Sequence, residues 1–98
     1  MSEAKFTKGE WRVNKLGSHH NNSNLEHIEI CYSDIGECIC DTVYEESDAH
    51  LIAAAPEMYA ALTLAKVTLA NVWKNTGSLG CKAEIESIDE VLAKARGE

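Results

Sequence analysis

The feature that most constrains the fold is an alanine-rich run, DAHLIAAAPEMYAAL, which occupies residues 48–62 and contains the only proline of the chain, Pro56. Alanine is the strongest helix former, so the run predicts helix on both sides of the proline. Proline disfavours helix at the residue before it and lacks a backbone donor. We therefore expect a short helix over residues 48–54 and a longer helix that has Pro56 in its first turn.

The ends of these helices are marked by capping residues. Ser47 or Asp48 is expected to cap the short helix, because their side chains accept hydrogen bonds from unpaired amides of the first turn. Gly77 is suited to the left-handed position that ends the long helix. A last helix is expected over residues 82–96.

Two apolar seams predict that the two longer helices pack together. Steps of four and three residues connect Met58, Leu62, Ala65, Leu69 and Val72 in the first, and Cys81, Ile85, Ile88, Leu92 and Ala95 in the second. Seams of this period joined by a short loop predict an antiparallel helical hairpin. Further apolar residues widen the first helix beyond one seam, so an interface with a partner or a second copy is expected at Trp73, Met58, Leu62 and Leu69.

Residues before the helices alternate between apolar and polar, as half-buried strands do. Strands are expected over residues 10–16, 25–32 and 37–44, with a polar loop over 17–24 that contains His19 and His20. The predicted fold is α+β: a three-stranded antiparallel sheet (10–44) packed on one face by a C-terminal helical hairpin, with a short preceding helix (47–96 for the helical part). Residues 1–9 are expected to form a loose lead-in, and all 98 residues a single domain.

The register of strands two and three has two possible solutions. A two-residue turn places Cys31 opposite Cys38, whereas a three-residue turn with Gly36 in the left-handed conformation places Ile30 opposite Cys40. The second separates apolar from charged residues better, so the pattern favours it. Its buried face comprises Ile28, Ile30, Tyr32, Cys38, Cys40, Thr42 and Tyr44, and its opposite face comprises His27, Glu29, Glu37 and Asp41.

Two motifs resemble those of small bacteriophage and prophage accessory proteins. Phe6-Thr7-Lys8-Gly9-Glu10-Trp11 matches an FTxGxW start, and the LIAAAPEM segment of the helical run matches the second motif. The resemblance covers roughly residues 5–62. It implies a phage-type accessory protein, in a group most of whose members have no assigned activity.

Composition limits the classes of binding partner and the cellular compartment that we expect. Sixteen acidic against nine basic residues give a net charge of −7, and only Arg12 and Arg96 are arginines. Nucleic-acid binding is not expected, because gripping phosphates needs clustered basic residues. The start of the chain leads into no apolar core, and the longest apolar run is too interrupted for a membrane span. We expect a protein of the bacterial host's cytoplasm, with reduced cysteines and no membrane association.

Metal binding and catalysis are not expected. Cys31, Cys38 and Cys40 with His27 are the residue types that bind zinc, but their spacing lacks the C-x2-C pair typical of zinc sites. In the favoured register, Cys31 faces away from the other two. Reduced cysteines also serve as small core residues. No motif combines a nucleophile, a base and an orienting group, so we expect no enzyme, no catalytic residues and no cofactor.

Two functions fit these observations. The first is a non-catalytic, homo-oligomeric phage accessory protein that binds a host protein and acts in counter-defence, for example against CRISPR. The alternative is a protein that sequesters a small ligand such as a cyclic nucleotide signal, for which Arg12, Asn14 and Lys15 are the compact candidates. A small enzyme or a zinc-binding protein is the third hypothesis.

Overall fold

The fold is a three-stranded sheet followed by two helices. The computed structural model describes residues 6–19, 22–33 and 36–98. Its elements are β1 (Arg12–His19), β2 (Asn22–Cys31), β3 (Cys38–Val43), α1 (Glu46–Thr76) and α2 (Leu79–Ala95). The strands are antiparallel in the order β1-β2-β3. The predicted α+β fold with a three-stranded antiparallel sheet is therefore confirmed.

The chain divides into two compact units. The sheet unit, residues 7–56, contains the sheet and the part of α1 up to Pro56. The hairpin unit contains Phe6 and residues 57–98, and so includes the rest of α1 and all of α2. In the part of the chain that the structure describes, no helix has both the length and the apolar character needed to cross a bilayer.

The first strand pair is longer than predicted. β1 continues to His19 and β2 begins at Asn22, so most of the expected loop over residues 17–24 is strand, whereas His20 lies outside the described residues. The pairing is irregular after Lys15, where the register shifts. Polar sequence predicted a loop here, but ladder hydrogen bonds form between backbone groups and do not require apolar side chains.

The second strand pair combines the two registers that the sequence left open. Ile30 is opposite Cys40, as the glycine turn predicts, but Cys31 is opposite Cys38, as the shorter turn predicts. Both hold because β3 contains an extra residue between these pairs, and another before Val43, which is opposite Ile28. Each extra residue in one strand is a β-bulge, which shifts the following side chains to the other face.

The bulges change which side chains of β3 reach the core. Ile39, Cys40 and Val43 pack against it, whereas Thr42 and Tyr44, predicted to be buried, are exposed. Cys38 was also predicted on the core face, and this was wrong because the extra residue turns it outward. Gly36 has φ +80°, so the left-handed glycine of the turn is confirmed; Asp34 and Ile35 lie outside the described residues.

The core of the sheet unit lies between the sheet and the start of α1. Ile28, Ile30 and Ala49 are completely buried. Partly buried residues pack around them: Trp11, Val13, Ile39, Cys40, Val43, Ile52 and Ala53. Burial of each isoleucine side chain contributes about 1.5–3 kcal/mol. The segment predicted as a short preceding helix therefore provides the contacts with the core of the sheet.

The predicted break at Pro56 is absent. A single helix, α1, runs from Glu46 to Thr76 with Pro56 inside it. It also begins before the expected capping residues, because the amide of Ala49 donates to the carbonyl of Glu45 at 3.0 Å. Tertiary contacts can override the local preference for a break, and they are present on both sides of the proline. Ile52 packs on the core of the sheet unit, and Tyr59 accepts a hydrogen bond from Arg96 at the end of α2.

The hairpin unit is antiparallel, as predicted. Lys66 forms an ion pair with Asp89, and Arg96 Nη1 donates to Tyr59 Oη at 3.1 Å, so α2 runs back along α1. Gly77 closes α1 with φ +68°, and its amide donates to the carbonyl of Trp73 at 2.7 Å. The ion pair and the hydrogen bond between the helices thus fix the direction that the apolar seams predicted.

The seam of α2 is close to the prediction, but that of α1 is rotated. Ile88 and Leu92 are buried and Cys81 and Ile85 half-buried, whereas Ala95 is exposed. In the part of α1 that belongs to the hairpin unit, the half-buried positions are Tyr59, Leu62, Lys66, Leu69 and Ala70. Met58, Ala65 and Val72 from the predicted seam are exposed, because the aromatic ring of Tyr59 and the aliphatic stem of Lys66 occupy the contact instead.

The FTxGxW segment forms local contacts in the described part of the lead-in. Trp11 Nε1 donates to the carbonyl of Thr7 at 3.1 Å, and Gly9 between them has φ +104°, which favours glycine. The ring of Phe6 meets the ring of Tyr59 edge-on with centroids 5.2 Å apart, a contact within the hairpin unit. Residues 1–5 lie outside the described residues.

Candidate functional site

Three side chains that could bind a metal ion, one carboxylate and two thiols, lie together on the face of the sheet opposite the core. Glu29 and Cys31 are two residues apart in β2 and therefore point to the same side. Cys38 of β3 is directly opposite Cys31. One donor atom from each of the three side chains lies within 4.8 Å of the others. We call these three residues the thiol–carboxylate cluster.

Hydrogen bonds already connect the cluster. Cys31 Sγ donates to Glu29 Oε1 at 3.3 Å, and Cys38 Sγ donates to Glu29 Oε2 at 3.2 Å. Asn14, opposite Glu29 in β1, donates its side-chain amide to Glu29 Oε1 at 2.8 Å. The carboxylate therefore accepts three hydrogen bonds and fixes both thiols beside it.

The cluster shifts the pKa values of its members in opposite directions. The hydrogen bond from Asn14, followed by those from the two thiols, lowers the pKa of Glu29. The hydrogen bond to the Glu29 carboxylate raises the pKa of Cys38 to about 12. The pKa of Cys31 is also raised, first by burial of its side chain, which is 2% exposed, and then by its hydrogen bond to Glu29. Without a metal, the resting state at neutral pH is one carboxylate and two protonated thiols.

The predicted ligand-binding residues are divided between the two faces. Arg12 and Asn14 lie opposite Cys31 and Glu29, respectively, and so border the cluster. Arg12 Nη2 donates to the carbonyl of Ser33 at 2.6 Å. Lys15 instead forms an ion pair of 2.7 Å with Glu46 at the start of α1. The structure therefore does not gather the three into one cationic site.

The predicted zinc set is also divided. Cys31 and Cys38 come together, contrary to the register that placed them on opposite faces, because the bulge in β3 turns Cys38 outward. Cys40 packs against the core. His27 Nε2 is 2.6 Å from the carbonyl oxygen of Asp41 and is not among the three clustered ligands.

Glu29 is the member of the candidate site that sequence reasoning missed. The sequence placed it on the face opposite the core, and its spacing from Cys31 is that of neighbours on one face of a strand. This signal was available, but the approach of Cys38 depends on the bulge, which local sequence did not predict.

The predicted interface residues all lie in the hairpin unit. Trp73 is 40% exposed and Met58 is 47% exposed, whereas Leu62 and Leu69 are half-buried on the side toward α2. Ala70, Trp73, Lys74 and Gly77 line a shallow surface depression near the end of α1. Of the four predicted residues, Trp73 and Met58 are therefore the most exposed.

Replacing Glu29 by glutamine is expected to make the Cys38 thiol more reactive. The thiolate is the reactive form, and loss of the carboxylate removes the main cause of the raised pKa, so the thiolate fraction at pH 8 increases. We expect alkylation of Cys38 by iodoacetamide, with a chelator present, to accelerate about tenfold. Peptide mass spectrometry measures the rate, with Cys81 in the other unit as internal reference; an unchanged ratio would contradict the hydrogen-bond assignment.

Comparison with protein families places this chain among bacteriophage proteins. It belongs to the family described as Salmonella phage P22 protein Y8K6, whose family model matches residues 1–98. Comparisons with curated proteins and with solved structures gave no match. The phage relationship that the two motifs implied is thus confirmed at the level of the family.

Proposed function

We propose that the protein binds a host protein, without catalysis, through the exposed apolar surface of its hairpin unit. The observation that supports this most directly is the small number of buried side chains there. Of residues 57–98, all of which the structure describes, only Ile88 and Leu92 are buried. Large apolar side chains with at least 40% exposure are Met58, Leu64, Val67, Val72, Trp73, Leu79 and Val91. An apolar surface of this kind is typical of interaction sites.

In the part of α1 that belongs to the hairpin unit, Leu64 and Val67 are the most exposed large apolar side chains, and because they are three residues apart they form a stripe on one face of the helix. Leu64 is 69% exposed and Val67 is 55% exposed. Ala60, one turn before Leu64, extends the same exposed face, and Asn71, one turn after Val67, ends it with a polar side chain. The small side chain of the alanine lets a partner approach closely, so this stripe is the proposed contact surface.

Charge supports a protein partner with basic character. Residues 7–56 carry nine acidic and three basic side chains, whereas the remaining residues carry seven and six. The net charge of −7 is therefore −6 from the sheet unit and −1 from the rest. An acidic field of this kind speeds encounter with a basic partner and is weakened by salt.

We propose that the biological role of this binding is counter-defence. We also propose that the protein acts in the cytoplasm of the host. A second copy of the chain is the other occupant we propose for the apolar surface. A nucleotide sponge is the weaker alternative, because Arg12 and Asn14 already donate to Ser33 and Glu29, and Glu29 would repel a phosphate.

The test is capture of a host protein by wild-type and variant chains. Tagged protein is incubated with host lysate, the partner is identified, and its affinity is then measured with purified components. The double change Leu64→Gln and Val67→Thr is expected to weaken binding by about tenfold or more, since central apolar contacts dominate such interfaces. Ala65→Gln is the matched control, because Ala65 is exposed on the same helix but, one residue after Leu64 and two before Val67, faces another direction.

Other results would count against the proposal. Equal affinity of the double variant and wild type would exclude the Leu64–Val67 stripe as the contact surface. Sedimentation of the purified chain distinguishes a second copy from a host protein as the occupant of the stripe. A wild-type dimer that dissociates in the double variant would assign the stripe to self-association. Counter-defence requires in addition that the wild-type gene, but not the double variant, raises plating of a targeted phage on a CRISPR-protected host.

A further inference from the structure

The thiol–carboxylate cluster has the donor set of a small metal site. Two cysteines and one glutamate provide two sulfurs and one oxygen, a combination that suits zinc and similar thiophilic divalent cations better than calcium or magnesium. The cluster lies in the sheet unit, whereas the apolar stripe that carries the proposed function lies in the hairpin unit. The inference therefore does not depend on host-protein binding.

The donor spacing matches a tetrahedral ion. With ordinary Zn–S and Zn–O bond lengths, a tetrahedral zinc separates a sulfur and an oxygen ligand by about 3.6 Å and two sulfurs by about 3.8 Å. Here Cys31 Sγ is 3.3 Å from Glu29 Oε1 and Cys38 Sγ is 3.2 Å from Glu29 Oε2. One donor atom from each of the three residues lies within 4.8 Å of the others, so rotation of the side chains can bring both sulfurs to these separations from a single carboxylate oxygen.

The backbone brings the two sulfurs together for a structural reason. The amide of Tyr32 donates to the carbonyl of Glu37 at 3.0 Å, so these two residues form a hydrogen-bonded pair next to the turn between β2 and β3. The next pair, Cys31 and Cys38, is then a non-hydrogen-bonded pair, in which side chains of opposite strands stand closest. The bulge that follows keeps Cys40 on the core side, away from the cluster.

Neighbouring side chains fit a bound cation as well. Asn14 holds Glu29 Oε1 with a hydrogen bond of 2.8 Å and so orients the carboxylate from outside the ligand set. Two thiolates and one carboxylate around a divalent ion leave a net charge of −1. Arg12, opposite Cys31 in β1, supplies a compensating positive charge.

We propose that Glu29, Cys31 and Cys38 bind one thiophilic divalent cation, with zinc the best fit, and leave a fourth coordination position open to solvent. On binding, each of the two thiols loses its proton to the buffer and forms a bond from sulfur to the metal. Glu29 then exchanges its two hydrogen bonds from the thiols for one oxygen–metal bond. No oxidation or reduction takes place.

The test uses the full-length, reduced protein and Co²⁺ as a spectroscopic probe for the zinc site. Titration is expected to produce cobalt–thiolate charge-transfer absorption and the visible bands of a tetrahedral ion, saturating at one ion per chain. Zn²⁺ should then displace Co²⁺ and abolish the spectrum. Competition with a chromophoric chelator gives the zinc affinity.

Single substitutions assign the ligands. Cys38→Ser and Glu29→Gln alter residues outside the core and are each expected to weaken zinc binding about 100-fold, because each removes one of three protein ligands. Cys40→Ser and Cys81→Ser are the matched controls, since they remove the other two thiols and should leave the affinity and the cobalt spectrum unchanged. Circular dichroism verifies that each variant is folded.

Two results would overturn the proposal. One is the absence of saturable cobalt or zinc binding by the folded, reduced wild-type protein. The other is binding that Cys38→Ser leaves intact, which would place the ion elsewhere on the chain.

Discussion

Replacing Ile30 by alanine is expected to lower the free energy of unfolding of the sheet unit by about 3 kcal/mol, within the range of about 2–5 kcal/mol for such truncations in a core. Ile30 is completely buried at the centre of the small core, opposite Val13 in β1 and Cys40 in β3. Few other buried side chains are available to close the cavity that its loss would create. Native proteins have a net stability of only about 5–15 kcal/mol, so this loss is a large part of the total.

Urea denaturation followed by the fluorescence of Trp11 measures this effect, with Trp73→Phe as the common background so that the signal reports on the sheet unit. Trp11 packs against the same core. Val67→Ala is the control, because Val67 is 55% exposed in the hairpin unit and its truncation should change stability by less than about 0.5 kcal/mol. Equal midpoints for Ile30→Ala and its background would show that this core does not determine the stability of the sheet.

Local patterns predicted the parts of the fold that depend on neighbours in the chain. Alternation in β2 identified Ile28 and Ile30 as core residues, and both are fully buried. The spacing in α2 identified Ile88 and Leu92. Gly77 was identified by its place after an apolar helix. In each case the signal and the structure involve residues within one or two turns or a few strand positions.

Contacts between distant segments decided the parts that the sequence did not predict. The bulges in β3 allow Ile39, Cys40 and Val43 all to reach the core, an outcome that depends on three strands and α1 together. The predicted strict alternation therefore failed in β3. The prediction of a loop over residues 17–24 failed for a related reason, since pairing with the opposite strand decided the structure there.

The sequence analysis did not predict the candidate site because it did not predict the same bulge. The prediction placed Glu29 and Cys31 on the face opposite the core. It placed Cys38 on the core face, because it assumed that the register set by a three-residue turn continues along both strands. A single extra residue between the Cys31 and Ile30 pairs reverses that assignment and brings the second sulfur to the carboxylate. Sites that depend on cross-strand register are therefore sensitive to an error of one residue, whereas the fold class is not.

Replacing Pro56 by alanine is expected to stabilise α1 by about 1–2 kcal/mol. Inside a helix, a proline lacks the amide that would donate to the carbonyl four residues earlier, here Ile52, and its ring crowds that carbonyl; these effects cost about 3 kcal/mol. Alanine restores the bond. Part of the gain is offset because alanine leaves the unfolded chain more flexible, by about 0.4–1 kcal/mol, and because the half-buried ring loses its packing.

Hydrogen exchange of the backbone amides on either side of Pro56 measures this change locally, where the two compact units adjoin in sequence. In Pro56→Ala the amides of residues 53–60 should exchange about tenfold more slowly, the factor that corresponds to about 1.4 kcal/mol. Glu57→Ala is the matched control, since it alters the adjacent exposed residue without restoring a donor. Faster exchange in Pro56→Ala would mean that the packing of the proline ring outweighs the missing hydrogen bond, and that the chain retains Pro56 for its contacts with the rest of the protein.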